Sequence, residues 1–412
     1  MIPKAEVLRT AEETGLLATT IEKDYALGWV LFAVAQHREL SRWIFKGGTC
    51  LKKCYFDTYR FSEDLDFTLP GDVPYETPAI LGGLQAIARW VFQSTGIEVA
   101  EDGIEVEEIQ NKVGLTTFQA RLTFRGPLGL ARQNRQRVKL DLTRHELLVT
   151  AAERREVFHG YSDLPDPAPT IRCYSLKELL VEKVRALLER SGRARDVYDV
   201  VNIGRNFSSD FNVTEARVIA TRKFAFKGLP APTSDLILGS IDPQVLAVDW
   251  NNALRHQLPV LPPPNEFLSA LRDVLDWLFV PARPGVILAA VPAKAEEVLV
   301  PPVRFASPAL GLARAVFPGG MPVPANVFGS RMDRIRFAAR NRLLAQVNYH
   351  GVSRLVEPYS LRIPKTGNLL LYVYETQRGS RPGEGIKAFK VDELGDVAVS
   401  NNSFQPRYLI EL

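Results

Sequence analysis

Residues 45–67 read FKGGTCLKKCYFDTYRFSEDLDF, and the order of the parts in this stretch decides the fold. A short apolar run, Trp43, Ile44 and Phe45, leads in as a strand. Lys46-Gly47-Gly48-Thr49 follows, and then a helix expected at about residues 50–56. Over residues 61–69, Phe61, Leu65, Phe67 and Leu69 alternate with Ser62, Asp64, Asp66 and Thr68, which is the period of a strand, although Glu63 breaks the apolar face. Two glycines between a strand and a helix let backbone N–H groups approach an anion closely. Asp64 and Asp66, two residues apart, place both carboxylates on one face of their strand. Held side by side they repel unless a cation lies between them. Hard divalent ions such as Mg²⁺ take carboxylate and phosphate oxygens together. Gly-Gly followed by Asp-x-Asp, with 16 residues from Gly48 to Asp64, therefore predicts a site for a nucleoside triphosphate (NTP) with metal.

Further along, residues 114–124 and 137–143 also alternate as strands. The second places Asp141 on a polar face. Asp141 is either a solvated strand-end residue or a third carboxylate, acting as general base on an incoming hydroxyl or completing a metal shell. Residues 5–40 have the apolar density of helices, and a helical half follows over about 175–280. Ser175-Leu176-Lys177-Glu178 is a capping box, so a helix starts at Ser175. At about 100° per residue, Leu176, Leu179, Leu180 and Leu187 form one stripe, and Lys183 falls within about 20° of Leu176. Glu178, Glu182, Arg185 and Glu189 fall opposite. A lysine on an apolar stripe is costly to bury unless paired with an anion. Lys183 either carries its amine out to solvent or reaches a triphosphate. Arg195-Asp196-Val197-Tyr198-Asp199, taken alone, is a charged helix start.

The chain has 412 residues, 46% hydrophobic and 24% charged, ample for a sizeable core and a prior of two to three domains. Its net charge of +4 excludes a polybasic nucleic-acid binder, so any such contact comes from local patches. Residues 131–146 hold five Lys/Arg against two acids, 183–195 five against one, and 331–342 five (Arg331, Arg334, Arg336, Arg340, Arg342) against one. No apolar run suits a membrane span, the first residues lack a signal-peptide pattern, and three cysteines suggest no disulfide framework. These features predict a cytoplasmic protein with no membrane partner. Nine of the 28 prolines fall in residues 281–330, which predicts a linker or an irregular wrap. After it, residues 345–349, 369–375, 386–391 and 397–399 read as strands of a small β-domain.

KGGT followed by RFSEDLDF, a helical lysine and Arg195-Asp-x-x-Asp199 resembles the AbiEii family of nucleotidyltransferase-fold toxins, to which the MenT toxins also belong. The resemblance covers roughly residues 15–280. It implies an α+β, polymerase-β-like nucleotidyltransferase fold: a catalytic core over 1–174, a helical subdomain over 175–280 completing the active site, the Pro-rich linker over 281–330, and a β-domain over 331–412. It implies that Asp64 and Asp66 bind Mg²⁺ or Mn²⁺, and Asp141, from its place on the polar strand face, is the candidate third ligand. Gly47, Gly48, Thr49, Arg60 and Ser62 would hold the NTP, and Lys183 would neutralise charge that develops in transfer. Asp196 would orient Lys183 or the nucleotide, Arg195 would brace the site, and Asp199 would be structural. The chain has KGGT where many nucleotidyltransferases have Gly-Ser, and Thr49 supplies the nearby hydroxyl. The family is the toxin half of type IV-like toxin–antitoxin and phage-defence pairs, so a cognate antitoxin is implied, and RNA, at the tRNA 3′ end, as acceptor. Residues 347–361, 369–374 and 389–392 resemble a WYL domain, a small SH3/Sm-like β-barrel, with Leu371-Tyr372-Val373 in place of Trp-Tyr-Leu. Two alternatives stand beside the toxin: a non-catalytic, ligand-sensing, nucleic-acid-binding regulator, and a transferase acting on a protein or small-molecule hydroxyl.

Overall fold

The structure, a computed structural model, describes residues 1–56, 60–110, 114–280, 289–292, 297–300, 331–364 and 367–412. Two helices open the chain, α1 (Lys4–Thr14) and α2 (Ala18–Gln36), and α2 is buried on nearly every side. Strand β1 (Ile44–Lys46) runs into the short helix α3 (Gly47–Cys50), which continues as a single wider turn over Leu51–Tyr55. Strand β2 (Asp64–Thr68), helix α4 (Thr77–Thr95) and strands β3 (Glu98–Gln110), β4 (Thr116–Arg125), β5 (Gln136–Thr143), β6 (Glu153–Glu156) and β7 (Thr170–Cys173) complete the first half.

These strands form one mixed sheet in the order β3-β4-β5-β2-β1-β7-β6. Strand β2 lies near its centre, antiparallel to β1 and parallel to β5. Its alternation sorts the side chains. Leu65 and Phe67 are buried with Phe45, Leu140, Leu142, Ala120 and Phe118, while Asp64 and Asp66 take the opposite face.

Six helices follow: α5 (Leu176–Glu189), α6 (Ala194–Phe207), α7 (Val213–Phe226), α8 (Ser234–Gly239), α9 (Pro243–Leu254) and α10 (Pro264–Phe279). Helix α5 starts where the capping box placed it, with the Ser175 hydroxyl accepting from the Glu178 N–H. The side of α5 read as polar is not a solvated face. Glu178 and Arg185 are buried, Glu178 accepting from the Val149 and Thr150 N–H groups and Arg185 bonding Glu182 and Glu189. A helix buried all round must pair its charges internally, which periodicity alone does not reveal.

Most of the Pro-rich stretch lies outside the described residues. Of the two pieces described, Val298–Leu299 (β8) pairs with a strand of the C-terminal sheet, and Val291 is buried against Tyr359, Tyr372 and Phe404. Helix α11 (Arg331–Arg340) then leads into β9 (Leu343–Tyr349), β10 (Val352–Ile363), β11 (Leu370–Arg378), β12 (Arg381–Lys390) and β13 (Leu394–Ser403). Their order is β12-β11-β10-β9-β13, with β8 added on β10. Among the described residues this sheet stays open, so the SH3/Sm-like barrel expected from the sequence is not shown. Helix α11, with Ile335, Ala338 and Ala339 buried, packs on β9, β10 and β13, covering apolar surface that closure would otherwise hide.

The five arginines of 331–342, expected to face a polyanion, are largely engaged within the chain. Arg331 and Arg334 donate to the Leu394 and Val397 carbonyls, and Arg334 also to Glu13 O at 2.8 Å. Arg336 pairs with Asp333, and Arg340 lies over the Phe207 ring. The Tyr198 hydroxyl donates to Asn341 Oδ1 at 3.0 Å, tying α6 to the end of α11.

Candidate active site

The polar face of the central sheet is a lattice set by register. One row crosses the strands as Lys46 (β1), Asp66 (β2), Asp141 (β5), Gln119 (β4) and Glu107 (β3). The next runs Asp64, Lys139, Arg121 and Glu105. The three carboxylates proposed as metal ligands therefore share a face, Asp66 beside Asp141 and Asp64 one pleat away. Burial pushes the Asp66 carboxyl up, Asp141 and Asp64 push it further, and Lys46 and Lys183 oppose them. A raised carboxyl beside two more is a place where a bound cation lowers the energy, so Asp64 and Asp66 fit a hard divalent ion. Asp141 accepts through Oδ1 from Gln119 at 3.0 Å and through Oδ2 from Lys139 at 2.8 Å, which leaves each oxygen a further lone pair.

The glycine pair is required by close approach. Gly47 has φ +80°, and a Cβ there would lie 2.1 Å from Asp66 Oδ2. A Cβ at Gly48 would lie 2.7 Å from Arg60 Nη2 and 3.0 Å from Ser62 Oγ. The turn after β1 thus folds down onto β2 with no room for side chains, and the Thr49 hydroxyl, donating to the Asp64 carbonyl, pins it.

Lys183 projects from α5 to α6, where its Nζ lies 2.9 Å from Asp196 Oδ1 and 2.9 Å from Asp199 Oδ2. Burial lowers its affinity for a proton, but Asp196 and Asp199 outweigh that and hold it above the ordinary lysine value, with Arg60 opposing. The amine is a fixed cation within electrostatic reach of Asp66. Arg60 grips Asp199 by two bonds of 2.7 Å, from Nε and Nη2, and donates through Nη1 to Gln257 Oε1 at 2.9 Å. At 1% exposure its guanidinium is built into the wall beneath Gly48. Burial pushes the Asp199 carboxyl up, yet Arg60 and Lys183 hold it well below the carboxylate range.

Sequence reading points to Gly47, Gly48, Thr49, Arg60, Ser62, Asp64, Asp66, Asp141, Lys183 and Asp196. It missed Lys46, Lys139 and Gln119, and it placed Asp199 outside the charge network that Asp199 in fact anchors. Lys139 was within reach, since it sits two residues from Asp141 in an alternating run. Lys46 becomes a site residue only once pairing sets it beside Asp66.

Under the turn lie Cys50, Cys54 and Cys173, all buried, with sulfurs within 4.8 Å of one another. Among the described residues they are the group of three metal-ligating side chains drawn that close.

The description "Nucleotidyl transferase AbiEii toxin, Type IV TA system" belongs to a family model that matches residues 29–278, from within α2 to the end of α10. The chain is a nucleotidyltransferase. It belongs to the AbiEii family, the toxin side of type IV toxin–antitoxin systems, which implies an NTP substrate and an antitoxin. Among solved structures it is similar to the nucleotidyltransferase toxin MenT4 from Mycobacterium tuberculosis H37Rv, at 19% identity and a TM-score of 0.47, over 68% of this chain and 90% of that one. No curated protein matches. Among the described residues no helix is long and apolar enough to cross a membrane.

Proposed function

We propose that the chain transfers a nucleotide from an NTP to a hydroxyl of RNA, the tRNA 3′ end, in a Mg²⁺- or Mn²⁺-dependent reaction in the cytoplasm. The observation that carries this reading is Lys183, fixed as a cation between Asp196 and Asp199 and facing the carboxylate row from the neighbouring helix. The acceptor hydroxyl attacks the α-phosphorus. A new P–O bond forms, the bond from that phosphorus to the β-phosphate oxygen breaks, and pyrophosphate leaves. The hydroxyl proton passes to Asp141, the register neighbour of Asp66. Lys183 and Lys46 neutralise charge that grows on the leaving phosphates. Gly47, Gly48 and Ser62 shape the floor on which the triphosphate lies. A divalent ion held by Asp64 and Asp66 would supply further charge neutralisation. Support for a polyanionic acceptor comes from Arg132, Arg137, Arg190 and Arg193, which are exposed around this face.

The test is incubation of the chain with each α-labelled NTP, Mg²⁺ or Mn²⁺, and total RNA or total protein. Label on tRNA that is lost with 3′-end blocking supports the reading. Label on protein alone reassigns the acceptor. No label with any NTP supports the non-catalytic regulator instead.

A further inference from the structure

A second polar site lies at the other end of α6. There Gly204, Arg205 and Ser208 meet α10 (Glu266, Asp273, Trp277) and the C-terminal segment (Arg342, Phe404) around a pocket of about 320 Å³. Two arginines line it. Arg205 donates through Nη2 to the Glu266 carbonyl at 3.0 Å, but its Nη1 is buried without a hydrogen-bond partner. Arg342 Nη1 is likewise buried and unpartnered. Orphaned donors on a charged group are among the costliest features a fold retains. Arg342 also holds φ +58°, a left-handed backbone that favours glycine, and this sets its side chain at the pocket. Burial lowers the affinity of both arginines for their protons, pulling Arg205 to about 10 and Arg342 to about 9, and for Arg342 the Arg205 charge adds to the effect. Two cations thus line one pocket, each with a buried donor left unmet, while Glu266 and Asp273 offset part of the Arg205 charge.

We infer that this pocket binds a small ligand through a single phosphate group, whose oxygens accept from the guanidiniums of Arg205 and Arg342. A phosphate brings up to two negative charges to two repelling cations and presents several acceptors. The pocket is large enough to hold an organic remainder beside that phosphate. Glu266 and Asp273 also line it, and Asp273 is exposed at the rim. With one pair of arginines, the pocket carries positive charge for one phosphate head and not for a continuous backbone. Helix α6 carries the site's Arg205 at one end and Asp196 and Asp199 at the other, so a ligand here braces the helix that holds Lys183.

The experiment is thermal unfolding of the full chain with inorganic phosphate, AMP or glucose 6-phosphate, against sodium chloride of equal ionic strength and against acetate. The proposal expects a phosphate-specific rise in Tm of at least about 2 °C at saturation. It should persist in Lys183→Ala, which disables the nucleotide site, and vanish in Arg342→Gln and Arg205→Gln. Arg342→Gln, which removes an unpaired buried cation, should itself unfold no lower than wild type. A rise kept in both arginine variants, lost in Lys183→Ala, matched by acetate, or absent throughout overturns the proposal.

Discussion

Helix α6 treats positive charge in opposite ways at its two ends. At its N-terminal end Lys183 and Arg60 converge on Asp196 and Asp199, and Lys183 has a carboxylate on each side. At its C-terminal end Arg205 and Arg342 each keep a buried donor that nothing among the described residues satisfies. The first arrangement fixes a cation in space, so that it can meet a charge developing on a substrate without reorganising. The second leaves two cations waiting for an anion from outside. The difference shows that buried charge alone does not define a role. What matters is whether the chain itself completes the charge's hydrogen bonds.

The comparison breaks most visibly at the catalytic face. Asp64→Asn, Asp66→Asn and Lys183→Ala should each reduce nucleotide transfer by about 10³-fold or more while the chain stays folded. A variant retaining wild-type transfer in the labelled-NTP assay would show that the lattice is only structural. Next in size is Asp199→Asn, which strips both Arg60 and Lys183 of a shared carboxylate. It should destabilise by about 3–5 kcal/mol in urea unfolding, whereas Arg342→Gln should cost nothing, and equal losses would erase the distinction between the two ends.

Glu182 sharpens the picture on α5. Burial raises its carboxyl, but Arg185, Lys223 and Lys46 outweigh that and bring it down to about 2. A depressed carboxyl adds stability that is present above its unfolded value and lost as pH falls. The loss should run from about 4.5 to about 2. Glu182→Gln should therefore lose about 3 kcal/mol near neutral pH and show a flatter acid limb over that window; an unchanged acid limb counts against it. Smallest is Arg121, paired with Glu105 at 3.5 Å and Glu107 at 3.2 Å but part-exposed. Arg121→Ala should shift the unfolding midpoint by less than about 0.5 kcal/mol. A larger loss would mean that pairing matters even without burial.

The parts of the fold legible in the sequence were those with local signatures. The strand–glycine–strand order around Asp64, the capping box at Ser175 and the alternation over 137–143 each depend on neighbours within a few residues, and each element forms. What escaped was set by distant partners. Strand β3 carries few buried side chains and many acids, so its pattern is that of a solvated segment until β4 pairs with it. Lys46 has no local signal for Asp66, on another strand, nor Asp199 for Arg60, 139 residues away. The arginines of α11 read as a surface patch because nothing nearby in sequence announces the carbonyls and rings they reach. The open C-terminal sheet likewise depends on α11, a helix that strand periodicity does not foresee.

The buried sulfurs under the glycine turn have a practical consequence. Cys50 follows Gly48 by two residues, and Cys173 pairs in register with Phe45 on β1. The three thiols are therefore shielded from solvent by the same backbone that shapes the nucleotide floor. A thiol-reactive dye can reach them only when the structure around them opens. With no other cysteine in the chain, the labelling rate is a background-free clock for that opening. Whether a bound nucleotide slows that clock reports, without any assay of chemistry, how firmly the substrate closes its own floor.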